Sequence, residues 1–469
     1  RGIPRLPAAA SRVPGTDRRF SLPEPNEAQG ASKCFRFSPA QPARFLIARL
    51  PGFSQSYAMR YAADLHLHSR FAKAVSPNMT LENIAAAARR KGIDVLGTGD
   101  CLQAEWLKEL EEGLIPAEPG WFALWSEGET PGPFPGTLRF VLSTEVHCAP
   151  RGCRETEGIH HLIYFPSFEA VRALRSRLER LGEDLTEGRP RLRLSSQELL
   201  RMVLETGHDC HLAPAHVLNP YFSTLGSIMQ HRRLEEVFGD SSVHLLAVEM
   251  GLTSIPPMCR RISALDRHAL FACSDAHSLE NIGRECTLLE TEPGYAPLFS
   301  ALRRGSRDEV IGCLKVSIFR ARYFRNWCGR CQEHYDGTMC PQGHGRLVTG
   351  SREWLEEIAD RAEPVSVPGT PRFRMFIPLC ALIAEFFQLG PTSRKVGLVM
   401  DQLLRALGNE REILTKSPSG KSPQPRRTHW PTPSWASVPL ITASPRSSRR
   451  RPSSRNCCNR RSAGRVFRY

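Results

Sequence analysis

No run in this chain approaches the roughly 18 consecutive apolar residues that a membrane-spanning helix requires. The N-terminus, although basic, lacks the apolar centre of a secretory signal. A membrane partner is therefore not expected, and the reading is of a cytoplasmic protein. No internal repeat is found, which excludes a repeat array. Acidic residues are in deficit, with 48 Asp and Glu against 63 Lys and Arg, a formal charge of +15. Such a field concentrates polyanions, and nucleic acid is the first candidate. A disulfide framework is also missing, because the 15 cysteines are scattered through 469 residues. Only Cys328, Cys331 and Cys340 cluster at metal-ligand spacing, and the others are expected as buried thiols. With 41% hydrophobic and 24% charged residues the chain can bury a core, which excludes a wholly disordered protein, and its length corresponds to about three domains.

From Tyr61 to about Leu302, short apolar runs alternate with helix-period segments, the pattern of strand-helix units around a parallel sheet or barrel. The expected strands are Ala62–Leu67, Ile93–Gly97, Leu138–Ser143, His160–Phe165, Cys210–Ala213, His244–Val248, Ala269–Cys273 and Cys286–Leu289. Expected helices include Leu81–Lys91 after the N-cap Thr80, with Phe168–Leu181, Ser196–Glu205 and Leu298–Arg303. An acidic helix is expected at Glu353–Arg361. Two more, Leu379–Leu389 and Val396–Leu407, are parted by Gly390-Pro391. The stretch to about Ser56, and Ser/Pro/Arg-rich text after Lys416, show no lasting periodicity and are expected as tails.

Chemistry enters with Asp64-Leu65-His66-Leu67-His68. Strand alternation sends His66 and His68 to one face, as two ligands of one metal require. Later strands also end in ligand-type residues: Asp100, Glu145, His216 and the pair Asp275 and His277. Functional residues of closed parallel barrels come from the C-terminal ends of strands, so these can converge. His160 and His161 face opposite ways, and His160 is preferred as the inward one. Imidazoles with carboxylates favour zinc, manganese or iron over magnesium. Such a set exceeds the need of one ion, and Glu145 could bridge two metals about 3.5–4 Å apart, an arrangement suited to phosphoester hydrolysis. Arg70 and Lys73 are candidate phosphate ligands.

Together, Asp64-Leu65-His66-Leu67-His68-Ser69, Gly97-Thr98-Gly99-Asp100, Ser143-Thr144-Glu145, Ile159-His160-His161-Leu162 and Ser274-Asp275-Ala276-His277 resemble the PHP (polymerase and histidinol phosphatase) superfamily of metal-dependent phosphoesterases. Within it the chain is most similar to the endonuclease Q family. The similarity runs from about Tyr61 to Leu414 and takes in Gly188-Arg189-Pro190, Ser263-Ala264-Leu265-Asp266-Arg267 and Glu357-Ile358-Ala359-Asp360-Arg361. The resemblance implies an α/β fold, a distorted seven-stranded (β/α) barrel followed by a small zinc-binding module and a helical C-terminal region. It also implies two or three divalent ions (Zn, Mn or Fe), held by His66, His68, Asp100, Glu145, His160, His216, Asp275 and His277, with Asp275 and Glu145 catalytic. The implied activity is cleavage of DNA on the 5′ side of uracil, hypoxanthine or an abasic site.

Cys328-x2-Cys331-x8-Cys340-x3-His344 suits one tetrahedral structural zinc. The similar family carries a second Cys-x2-Cys pair here. That position is Gly343 in this chain, so His344 or His334 would have to complete the shell. The resulting organisation is a tail (1–56), a barrel phosphoesterase (57–318), a zinc module (319–362), a helical DNA-binding region (363–415) and a basic tail (416–469). The expected partner is DNA containing deaminated bases, with a sliding clamp as a further candidate. The alternative is a small-molecule phosphatase of the histidinol-phosphate type. A third reading, a binding protein that has lost catalysis, fits poorly with the full ligand set.

Overall fold

The computed structural model describes residues 58–127, 137–154 and 156–415. The expected tails at 1–56 and 416–469 lie outside the described residues. The chain runs β1 (Met59–Asp64), α1 (Leu81–Lys91), β2 (Val95–Gly97), α2 (Ala104–Gly113), β3 (Leu114–Pro116), β4 (Phe122–Leu124), β5 (Arg139–Cys148) and β6 (Ile159–Phe165). Next come α3 (Phe168–Arg180), β7 (Arg191–Leu192), α4 (Ser196–Thr206), β8 (His211–Pro214), α5 (Glu235–Phe238), β9 (Val248–Glu249), α6 (Pro256–Cys259) and β10 (Leu270–Phe271). After these stand β11 (Cys286–Thr291), α7 (Tyr295–Arg304), β12 (Val310–Val316), β13 (Trp327–Cys328), β14 (Glu333–His334) and α8 (Ser351–Ile358). The last elements are β15 (Phe373–Phe376), α9 (Leu379–Phe387), α10 (Arg394–Leu407) and α11 (Glu410–Thr415).

Local chemistry sets the helix ends. Thr80 caps α1 by accepting the Asn83 N–H, and left-handed Gly92 closes it, so that Leu81, Ile84, Ala85 and Ala88 share one buried face. A capping box between Ser195 and Glu198 starts α4. The acidic helix α8 is shorter than expected, because Ala359 is extended and ends it.

The sheet is mixed rather than built from parallel units throughout. β1–β2, β2–β5 and β5–β7 are parallel. β1–β11, β5–β6 and β6–β8 are antiparallel. The link between β5 and β6 contains no helix, and a parallel crossover needs about a dozen residues or more, usually a helix. A hairpin is what so short a link permits. β8 is followed in space by the segment before β9, where the Leu246 N–H donates to the Leu212 carbonyl at 2.9 Å. β9 pairs in parallel with β10, and the His68 N–H donates to the Ala276 carbonyl at 3.0 Å, returning the chain past β10 to the end of β1.

The expected strand His244–Val248 is realised only as β9, because Gly239–His244 coils into a 3-10 helix. Short β3, β4 and β7 carry too little alternation to be read. β12 and β15 pair in parallel and extend the sheet beyond β11, so Phe373–Phe376, in the expected helical region, belongs to the main sheet. The core falls into two apolar layers. Tyr61, Ala63, Val141 and Phe271 pack in one, and Ala62, Leu96, Trp106 and Leu174 in the other. Neighbouring β1 residues thus face opposite layers. Among the described residues no helix is long and apolar enough to cross a membrane.

The later segments are bonded to this framework. Arg361 forms a bidentate pair with Asp266 (2.6 and 3.1 Å), and Asp360 accepts the Ser263 N–H at 2.8 Å. The Trp354 indole donates to the Leu225 carbonyl at 2.8 Å. At the opposite end of the sequence Lys91 and Glu410, both buried, pair at 2.6 Å. Glu410 also accepts the Leu379 N–H at 2.8 Å, and Arg411 reaches Asp94 at 3.1 Å. Glu410 therefore ties α9, α11 and α1 together. Glu410→Ala leaves the Lys91 ammonium buried and unpaired, so we expect a loss of about 3 kcal/mol. Limited proteolysis should show α9–α11 cleaved much faster while the main sheet and its helices stay resistant.

Candidate metal centre

The expected ligand residues are delivered to one end of the sheet. His66 and His68 lie just past β1, Asp100 past β2, His216 past β8, and Asp275 and His277 past β10, while Glu145 and His160 lie on paired β5 and β6. The sharp path of the β2 end explains Gly97-Thr98-Gly99. Gly99 is left-handed (φ +61°), and a Cβ there would stand 2.2 Å from the Leu67 carbonyl oxygen.

Two ligand triplets result, His66 with His68 and Asp275, and Glu145 with His160 and His216, each with its candidate atoms within 4.8 Å of one another. Glu145 joins them. Its Oε1 is 3.0 Å from His160 Nδ1, 3.2 Å from His216 Nε2 and 3.4 Å from His66 Nε2. Its Oε2 is 3.2 Å from His68 Nε2. Asp275 Oδ1 is 3.5 Å from both His66 Nε2 and His68 Nε2.

The outer nitrogens are occupied. His66 Nδ1 is 3.0 Å from Glu249 Oε1, and His68 Nδ1 is 3.0 Å from Asp100 Oδ1. Donation from Nδ1 to a carboxylate leaves the Nε2 lone pair pointing inward, the arrangement of metal-binding imidazoles. Buried and without a hydrogen bond are His66 Nε2, His68 Nε2 and Asp275 Oδ1. Leaving such groups unsatisfied is costly, and these donor atoms fit a divalent cation.

Two of the eight expected ligands stand apart from the triplets. Asp100 lies behind His68, accepting also from the Ser69 N–H (2.6 Å) and hydroxyl (2.8 Å). His277 turns Nδ1 toward the Asp275 carbonyl (3.0 Å) and lays its ring against His68. His161 points away and bonds Ser196 Oγ at 2.7 Å. Arg70 is paired with Glu109 at 2.5 Å, and Lys73 is exposed. The cation facing the cluster is instead Arg189, whose Nη1 is 3.2 Å from Glu145 Oε2. In the sequence Arg189 stands out only as part of the motif Gly188-Arg189-Pro190, since a loop arginine has no periodic signal. Glu249 was missed as well, although it ends β9 and the strand-end rule would have found it.

The electrostatics follow from this crowding. Burial would lower the His66 pKa, but Glu249, Glu145 and Asp275 together raise it well above the ordinary value. Burial is likewise overcome at His68, which Asp100 helps push up to about 10. Burial would raise the carboxyls of Glu145 and Asp275. Neighbouring imidazoles, His160 and His66 for Glu145 and His277 and His66 for Asp275, hold both well below the usual range.

In the cysteine module, Cys328, Cys331, Cys340 and His344 bring their ligand atoms within 4.8 Å of one another. His344 Nδ1 is 3.1 Å from Cys331 Sγ. His334 turns away, its Nε2 at 2.8 Å from the Arg322 carbonyl. The Cys331 N–H helps lower the Cys328 thiol to about 6, which favours the thiolate a zinc ion needs.

No family model matches the chain. The lesion-specific endonuclease PfuEndoQ from Pyrococcus furiosus is similar in structure, with a TM-score of 0.66 and 28% identity over 77% of this chain and 86% of that one. A structure of Endonuclease Q with a 27-mer duplex substrate carrying an abasic lesion at its active site gives a TM-score of 0.66 and 28% identity over 76% and 86%. Among curated relatives, the uncharacterised protein YqxK of Bacillus subtilis is 28% identical over 365 residues, 75% of this chain and 88% of its own length. The resemblance to endonuclease Q carried by the motifs is therefore also a resemblance of fold.

Glu249 supports two candidate ligands, through His66 Nδ1 and through the His216 N–H at 2.8 Å. Glu249→Ala should weaken metal binding about 10- to 100-fold, read by competition with a chromophoric chelator. Because the raised His66 and His68 are protonated without metal, loading should release protons and weaken as pH falls. Calorimetry in buffers of different ionisation enthalpy measures that release. Zinc removal by a chelator should open 328–344 to protease, since so small a module folds little without its metal.

Proposed function

We propose that this chain is a metal-dependent endodeoxyribonuclease of DNA repair, cutting the phosphodiester 5′ of uracil, hypoxanthine or an abasic site. The observation that carries the reading is the pair of ligand triplets joined by Glu145, in a fold shared with an endonuclease solved on lesion-containing duplex. On this reading the ligands are His66, His68, Glu145, His160, His216 and Asp275, with Asp100 and His277 buttressing His68 and Asp275. The strands β1, β2, β5, β6, β8, β9 and β10 then form the seven-stranded barrel. Two or three divalent cations bound there would polarise the phosphate and make hydroxide available near neutral pH.

The protein's own residues do the rest. Asp275 and Glu145 hold negative charge fixed at the centre, and the partly exposed Arg189 is placed to orient the scissile phosphate. The positive charge of the whole chain, +15, would supply affinity for the DNA backbone, which should fall steeply with salt as counterions are released. A zinc module and docked helices serve a long polymer and have no use in hydrolysing a small phosphomonoester. Undamaged DNA should be cut slowly, because extruding a paired base costs a few kcal/mol.

The deciding experiment incubates manganese-loaded protein with duplexes containing uracil, hypoxanthine, an abasic site or no lesion, and separately with a small phosphomonoester. Nicking confined to the lesion strands supports the proposal. Intact lesion strands with phosphate released from the monoester would replace it by the phosphatase. We expect Asp275→Ala to abolish nicking while duplex affinity changes only a few-fold, measured by fluorescence anisotropy. Equal loss of both would remove Asp275 from the reaction.

A further inference from the structure

Three residues at the metal centre have left-handed backbones although none is glycine: Asp100 (φ 48°), His216 (φ 32°) and Asp275 (φ 47°). Such conformations persist only where the surroundings impose them. For Asp100 and His216 the restraints come from within the cluster, through Ser69 and Glu249. For Asp275, whose carbonyl also meets His277 Nδ1, further restraints come from outside. Arg284 donates from Nε to the Ser274 carbonyl at 2.7 Å and from Nη2 to the Asp275 carbonyl at 3.0 Å. Asp64, fully buried, accepts the Ser274 N–H with Oδ1 and the Gly283 N–H with Oδ2, both at 2.9 Å.

We propose that Asp64 and Arg284 are positioning residues, a clip that sets the direction of the Asp275 carboxylate. The inference rests on the reading of Asp275 as a ligand, and extends it to two residues that are not. Asp64 ends β1, so it ties the loop after β10 to the strand that delivers His66 and His68. A planar guanidinium reaches two successive carbonyls from two nitrogens in a fixed fork, a geometry that a single lysine ammonium does not reproduce. Arg284 hydrogen-bonds backbone oxygens here, so its contribution is to geometry. If the Ser274–Asp275 peptide rotates, Asp275 Oδ1 leaves the point equidistant from His66 and His68, and a shift of about 1 Å at a reacting centre costs about 100-fold in rate.

The test compares Arg284→Ala and Arg284→Lys with the parent chain by manganese titration, by nicking kinetics and by thermal unfolding. The clip predicts kcat down about 100-fold in Arg284→Ala, KM within a few-fold, and metal affinity down about 10- to 100-fold. Arg284→Lys should be intermediate. Added guanidinium should restore both metal affinity and kcat to Arg284→Ala, which a general loss of packing would not allow. Unchanged metal affinity in Arg284→Ala, or a loss in both variants that guanidinium does not relieve, overturns the proposal. If Arg284→Ala fails to fold, parental metal affinity in Arg284→Lys overturns it and a loss supports it. If the parent chain binds manganese but cuts no DNA, the nuclease reading fails while the metal comparison still decides the clip.

Discussion

The structure depends on keeping imidazoles and carboxylates together out of water. Glu145 is fully buried, and four histidines and an arginine contact it. Removing a charge from water costs several kcal/mol even after relaxation, so such a cluster forms only if every neighbour offers an opposite charge, a hydrogen bond or a cation. The arrangement divides the work. Outer carboxylates, Glu249 and Asp100, take the Nδ1 atoms. Inner atoms, His66 Nε2, His68 Nε2 and Asp275 Oδ1, are left without hydrogen bonds, as a bound cation would need. Strand ends supply this geometry because several chains converge there at little cost in backbone hydrogen bonding.

That constraint reaches outward through backbone rather than side chains. The left-handed conformations at Asp100, His216 and Asp275 let strands turn sharply while their side chains stay aimed inward. Gly251, itself left-handed, lies so close to His216 that a Cβ would stand 2.4 Å from the histidine's own. The loops that follow His216 and Gly251 also receive part of the cysteine module. Trp354 bonds the Leu225 carbonyl, and Ser351 the Thr253 carbonyl at 2.9 Å. The cysteine module is thus fastened beside the His216 loop.

Much of the centre was legible because its chemistry is local. His66 and His68 share a face through strand alternation alone, and Asp100, His216, Asp275 and His277 stand at strand ends that apolar runs mark. The Cys328–His344 spacing is equally local, and helix α1 could be placed from Thr80 and its apolar stripe. Two motifs far apart in sequence, Ser263–Arg267 and Glu357–Arg361, proved to be one contact through Arg361–Asp266 and Asp360–Ser263.

What tertiary structure alone decided is which of these residues come together in the candidate ligand triplets and which stand behind them. Asp100 and Asp275 are the same residue type at equivalent strand ends, yet one backs His68 and the other faces the cluster, because Ser69 captures the first and Arg284 turns the second. Arg70 lies nearest the first histidine pair in sequence, but Glu109 claims it and Arg189 takes the place beside Glu145. The hairpin of β5 and β6 brings His160 into the sheet antiparallel, a direction set by the short link and not by the pattern of either strand. The amino-acid sequence determined the ligand types and the ends of the strands that carry them, since both follow from short-range sterics. The assignment of inner and outer roles waited on the fold, since it depends on competition among partners that only long-range packing brings within hydrogen-bonding distance.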